Sequence, residues 1–209
     1  MNMELEHLLP QEIEKRSFEI ITEELAGKHL NPEHELIIKR CIHTTADFDY
    51  ADNLCFSKEA VPKALEALRQ GADIVTDTQM AKAGINKRTL AKFGGTVHCF
   101  IADEDVALEA RERGMTRSAV SMEKAAELNK KLIFAIGNAP TALIKLHEMI
   151  QEGKIHPQLI IGVPVGFVNV VQSKELILET EVPYIVARGR KGGSNVAAAI
   201  CNALLYQLK

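Results

Sequence analysis

Residues 131–143 read KLIFAIGNAPTAL: a lysine, five apolar side chains, then Gly137 and Asn138, then Pro140 at the head of an amphipathic run. A continuous apolar run of that length, bounded by a lysine and a glycine, suits a strand buried on both faces. Proline is favoured in the first turn of a helix, and Asn138 is a candidate N-cap for one. The stretch therefore reads as strand, short loop, helix.

The same unit recurs on either side. DIVTD (73–77), TVHCFI (96–101), QLIIGVPV (158–165) and PYIVARG (183–189) are further short runs rich in Val, Ile or Phe. Helical patterns such as DEDVALEARERG, APTALIKLHEMIQEG and SNVAAAICNALLYQLK lie between or after them. Strands alternating with amphipathic helices predict βαβ units. The expectation is an α/β chain forming a single three-layer α/β/α domain over residues 1–209, with a mostly parallel sheet. Upstream, PQEIEKRSFEIITEELAG predicts a helix with Ile13, Ser17, Ile20, Ile21 and Glu24 or Leu25 near one face, stopped by Gly27. NPEHELIIKRCIH predicts a second helix from Pro32, and SKEAVPKALEALRQG a third with Ser57 as N-cap and Gly71 as stop.

Composition narrows the function classes. The 209 residues are 46% hydrophobic and 25% charged, with a formal net charge of −3. Such a balance provides no basic field to draw nucleic acid, so an anionic ligand needs local donors. No apolar run approaches the ~18–20 residues that span a bilayer. The acidic start, MNMELEHLLPQEIEKRS, is unlike a signal peptide. Cys41, Cys55, Cys99 and Cys201 form no CxxC pair, which favours free thiols in a reducing cytoplasm over zinc or dithiol chemistry.

Open α/β sheets bind ligands beyond the carboxyl ends of their strands. Here three glycine-bearing loops leave such ends: GNAPT, GVPVGFV and RGRKGGSN. The last combines Arg188, Arg190 and Lys191 with Gly192, Gly193 and Ser194 at the head of a helix, where backbone N–H groups favour anions. It is neither a Walker A loop nor GxGxxG. By composition alone, an anion site and a basic surface turn are evenly matched. Arg117 in MTRSA is of a type more often solvated than ligand-bound. Phe56 and Phe167 are expected to pack in the core rather than face a ligand.

CIHTTAD (41–47) sets His43 beside Thr44, Thr45 and Asp47. No HxH or HxxxH spacing supports a metal, and no GxSxG elbow supports a hydrolase triad. A structural histidine closing a helix and a general acid/base remain, because imidazole titrates near neutral pH.

Taken together, IEKRSFEII, KRCIHTTADFD, TDTQMAKAGI, TRSA, IFAIGNAPTAL, GVPVGFVNVVQSKE and GRKGGSNVAAAICNAL resemble the precorrin-8X methylmutase family of vitamin B12 biosynthesis, from about residue 10 to 208. Two departures are small: Cys41 stands where an aliphatic residue is common, and Gln172 precedes Ser-Lys-Glu where Ala-Ala-Glu is more usual. The resemblance implies an isomerase that moves a methyl group from C-11 to C-12 of precorrin-8X or cobalt-precorrin-8, giving hydrogenobyrinate or cobyrinate. It implies no cofactor, no metal held by the protein and no fresh methyl donor. It places acid/base work on His43 and substrate contacts on Ser17 and Arg40. Thr44, Arg117, Arg188, Arg190, Lys191, Gly192, Gly193 and Ser194 complete the expected grip on a many-carboxylate tetrapyrrole. A cytoplasmic homodimer is implied, with no nucleic-acid or membrane partner. A non-catalytic corrinoid carrier and an anion-binding hydrolase are the competing classes.

Overall fold

The computed structural model describes residues 6, 8–25 and 27–208. Part of the acidic start, residues 1–5 and 7, lies outside the described residues. The chain opens with helices α1 (Pro10–Glu24), α2 (Pro32–Thr45) and α3 (Tyr50–Asn53), then strand β1 (Leu54–Phe56) and α4 (Ala60–Arg69). Next come β2 (Asp73–Thr76), α5 (Gln79–Gly84), α6 (Lys87–Ala91), β3 (Val97–His98), α7 (Glu104–Glu112) and α8 (Arg117–Ala126). The remainder alternates: β4 (Leu132–Ile136), α9 (Pro140–Gln151), β5 (Leu159–Gly162), α10 (Val170–Leu178), β6 (Tyr184–Ala187) and α11 (Ser194–Leu205).

The strands form one sheet in the order β1-β6-β5-β4-β2-β3. All neighbours are parallel except β1, which runs antiparallel to β6 with Leu54 opposite Ala187. Alternate residues feed opposite layers. Ile74, Ile133, Ile161 and Ile185 join a core with Ile37, Ala64 and Ile200 from α2, α4 and α11. Val75, Phe134, Ile160 and Val186 face the other way, onto Met122, Leu143 and Ile177 from α8, α9 and α10. Two apolar faces are why β4, β5 and β6 read as near-continuous hydrophobic runs, whereas β2 and β3 also carry Asp73, Thr76 and His98.

Several local expectations are revised. Ser57 does not cap α4. Helix α4 starts at Ala60 after Glu59 in a left-handed conformation, while Ser57 exchanges hydrogen bonds with Tyr184: its Oγ accepts the Tyr184 N–H and its own N–H donates to the Tyr184 carbonyl. Asn138 does not cap α9 either, because the N-cap position is Ala139 and no side chain of the loop serves it. Ile21 of α1 and Leu25 just after it are buried, but Ile13 and Ile20 are exposed. Phe56 packs against the core, as expected, and also stacks on His34, whereas Phe167 is 80% exposed.

Candidate active site

The chain reverses its direction of travel across the sheet between β2 and β4, the crevice where open sheets usually bind ligands. Here the protein fills it. Asp77, buried just past β2, accepts the backbone N–H groups of Gly137, Asn138 and Ala139 at 2.9, 2.8 and 2.7 Å. Its carboxyl pKa is raised by burial, which outweighs the three N–H bonds. The next residue, Thr78, caps α5 and joins its Oγ1 to the Ser194 Oγ at 2.8 Å, which pins the head of α11. Gly137 is required there: a Cβ would lie 2.7 Å from the Ser194 Cα.

With that crevice closed, the open space lies beside α2 and α11. Asn31 caps α2, Pro32 opens it, and Ala46 in a left-handed conformation ends it, so His43 falls in its last turn. Thr45 shapes the exit by donating to the Cys41 carbonyl and accepting the Asp47 N–H. The His43 ring is exposed and tilts toward Phe18 at 5.5 Å between centroids, with no hydrogen bond to the ring among the described residues. It divides two open clefts. One, of about 230 Å3, runs between α1 and α2 past Ser17, Glu24 and Phe48. The other, of about 290 Å3, is bordered by Arg40, Thr44, Asn195, Asn202 and Tyr206.

Three of the sequence-predicted residues thus meet at His43. Ser17 borders the first cleft, with its hydroxyl bonded back to the Ile13 carbonyl at 2.9 Å. Thr44 borders the second. Arg40, one turn before His43, lies between the Phe18 and Tyr206 rings at 4.7 and 5.3 Å and pairs with Glu14. Its buried Nε has no partner among the described residues. Asn195, Asn202 and Tyr206 were not singled out from the sequence. Their spacing of seven and four residues along α11 is the helical periodicity that would have grouped them. Asn202 is structural, accepting from Asn86 and donating to Gly84, whereas Asn195 is exposed.

The basic loop after β6 is less uniform than its sequence suggests. Arg188 pairs with Glu175 at 3.1 Å, and Lys191 lies 2.6 Å from both Asp47 and Asp49. Those hydrogen bonds raise the Lys191 pKa, and the Lys191 bond lowers that of Asp47. Arg190 has no carboxylate partner among the described residues and sits over the Phe167 ring at 5.5 Å. The Gly193 N–H is taken by the Val163 carbonyl, and a Cβ at Gly192 would lie 2.0 Å from that oxygen. Arg117 begins α8, in the opposite layer from His43, where Thr116 and Thr141 join the heads of α8 and α9. A larger cleft of about 540 Å3 beside α8 and α9 holds none of these residues, and its Arg113, Glu123 and Lys145 charges answer one another.

A mostly parallel sheet covered by helices on both faces, with an exposed imidazole between two clefts beside it, is the frame of an α/β enzyme. More particularly, the chain belongs to the precorrin-8X methylmutase family, whose model matches residues 12–207. It is 49% identical to the cobalt-precorrin-8 methylmutase of Salmonella typhimurium, over 96% of each chain. It is 45% identical to that of Priestia megaterium, over 93% of this chain and 87% of the relative. A crystal structure of precorrin-8X methylmutase from Thermus thermophilus superimposes with a TM-score of 0.85 at 38% identity, covering 93% of this chain and 96% of that one.

Proposed function

We propose that this protein is the isomerase that moves the methyl group from C-11 to C-12 of a precorrin-8 macrocycle, with His43 lending and reclaiming a proton. The observation that carries the proposal is the placement of His43 between a cleft bordered by Ser17 and one bordered by Arg40 and Thr44. The imidazolium donates a proton to the ring system next to the migration terminus. Positive charge spreads through the conjugated system and weakens the old C–C bond. The methyl carries its bonding pair to the neighbouring carbon, and the imidazole then recovers the proton. Nothing is oxidised or reduced and no atom is gained, so the chain's work is to bind, orient and move one proton.

Relatives named for the cobalt substrate, at 49% and 45% identity, support cobalt-precorrin-8 as the natural substrate and cobyrinate as the product. Each cleft alone is smaller than the ~300–1,000 Å3 usual for ligand pockets. Beside them, α1 and the residue that precedes it expose Leu9, Ile13 and Ile20. Both observations support a homodimer in which a second copy completes the walls. Free cysteines, three of them buried, fit a cytoplasmic site of action.

Parallel incubation with cobalt-loaded and metal-free substrate, read by absorbance, tests the assignment. Faster turnover of the cobalt form is expected. Tight binding of both without a spectral change would make the protein a corrinoid carrier instead.

A further inference from the structure

Lys174 is fully buried, which is rare for a lysine without a carboxylate. Its ammonium donates instead to two backbone carbonyls, Gly189 at 2.7 Å and Lys191 at 2.8 Å. These two residues flank Arg190, whose own carbonyl accepts the Gly166 N–H at 3.2 Å. Three successive carbonyls of the basic loop are therefore held by donors of the protein.

The N–H groups of the same loop are in the opposite condition. Among the described residues, those of Gly189, Arg190, Lys191 and Gly192 donate to no protein acceptor. A loop whose carbonyls are claimed and whose N–H groups are free offers one sign of partial charge to a ligand. Left alone, such a loop would turn some carbonyls outward, toward the incoming carboxylates. The buried ammonium opposes that rotation twice, on either side of Arg190.

We infer that Lys174 is a positioning residue for substrate binding: it fixes the Gly189–Lys191 carbonyls so that Arg190 and the loop N–H groups face substrate carboxylates. The inference rests on the proposed function, in which this loop grips the periphery of the macrocycle. Lys174 itself touches no substrate.

The test measures KM and kcat with substrate, and the Kd of hydrogenobyrinate alongside the same corrinoid with its carboxylates converted to amides. In Lys174→Met, KM and the Kd for the carboxylate form are expected to rise about tenfold or more, while kcat and the Kd for the amide form change less than about threefold. Lys174→Gln, which keeps an N–H for one carbonyl, is expected to fall between Lys174→Met and the native protein. Arg190→Gln serves as the reference for the grip. If Arg190→Gln removes the preference for carboxylates and Lys174→Met does not, the loop grips substrate but Lys174 does not position it. If neither variant alters that preference, the grip itself is wrong. Equal losses on both ligand forms, or failure of both Lys174 variants to fold, would make Lys174 a general structural residue and overturn the inference.

Discussion

Asp47 lies 2.6 Å from the Lys191 Nζ, and this ion pair joins the turn after His43 to the glycine-bearing loop after β6. Lys191 is therefore a tie between two parts of the site as much as a cation for a ligand, with Asp49 as its second partner. An exposed pair of this kind contributes ~0.2–1 kcal/mol to stability. Asp47→Asn is accordingly expected to lower the melting temperature only slightly. Its clearer effect is a rise in KM of a few-fold, as the two loops lose their common register. A KM equal to the native value would show that the tie does not shape the site.

His43→Gln tests the chemistry. The ring is exposed and carries no structural hydrogen bond among the described residues, so the variant is expected to fold and melt like the native protein. General acid–base catalysis by a placed side chain is worth ~10²–10⁴-fold, and kcat should drop by that order with KM little changed. Retention of near-native turnover would remove His43 from the mechanism.

Arg190 and Arg188 separate by their partners. Arg188 already shares its charge with Glu175, whereas Arg190 has only the face of Phe167. A charge-assisted hydrogen bond is worth ~1.5–3 kcal/mol, or roughly tenfold to a hundredfold in binding. Arg190→Gln is expected to raise KM by about that factor, and Arg188→Gln by less. A larger effect at Arg188, measured under the same conditions, would reverse the assignment.

Much of this arrangement can be read from the chain, for a physical reason. Strands buried on both faces leave continuous apolar runs, and β4, β5 and β6 fall inside such runs, while β2 and β3 sit in shorter Val- or Ile-bearing stretches. Strand β1 does not stand out, because LCF is three residues long between helices and gains its place only by pairing antiparallel with β6. Phe167 shows the limit of residue type: an aromatic on a glycine-bearing loop was expected in the core, yet the loop carries it out beside Arg190. Asp77 shows another limit. Its bonds to Gly137, Asn138 and Ala139 cross about sixty positions of sequence, so no local pattern announces them. His43, Ser17 and Arg40 were legible through family resemblance, whereas Asn195 and Tyr206 needed the packing of α11 on α2.

Asp77 should accordingly be a stability residue. Asp77→Ala strands three N–H groups, those of Gly137 and Ala139 buried and that of Asn138 partly so, at ~1–3 kcal/mol for each buried one. A loss of about 3 kcal/mol or more is expected, which corresponds to roughly 6–12 °C in melting temperature for a chain of this size. A shift within a degree or two of native would mean the loop re-satisfies itself.

Lys174 should also leave a signature in the pH dependence of stability. Burial lowers its pKa from the usual 10.5 to about 8. Below that value both folded and unfolded chains carry the proton, and the folded state bears the full penalty of a buried charge. Between about 8 and 10.5 the unfolded chain still holds the proton while the folded one has released it. Stability contributed through this group therefore rises with pH across that window, by up to roughly 3 kcal/mol at 1.36 kcal/mol per pKa unit. Other groups act the opposite way. The Cys41 and Cys201 thiols are pushed up to about 12 by burial, so each costs stability once unfolded thiols begin to ionise above about 9. The informative quantity is therefore the difference in unfolding free energy between the native protein and Lys174→Met, measured in denaturant from pH 7 to 10. That difference should move steadily in favour of the native protein from pH 8 upward, because the thiols contribute equally to both. A difference that stays flat would mean that the Lys174 ammonium keeps its proton in the folded chain, held by the Gly189 and Lys191 carbonyls as firmly as water would hold it.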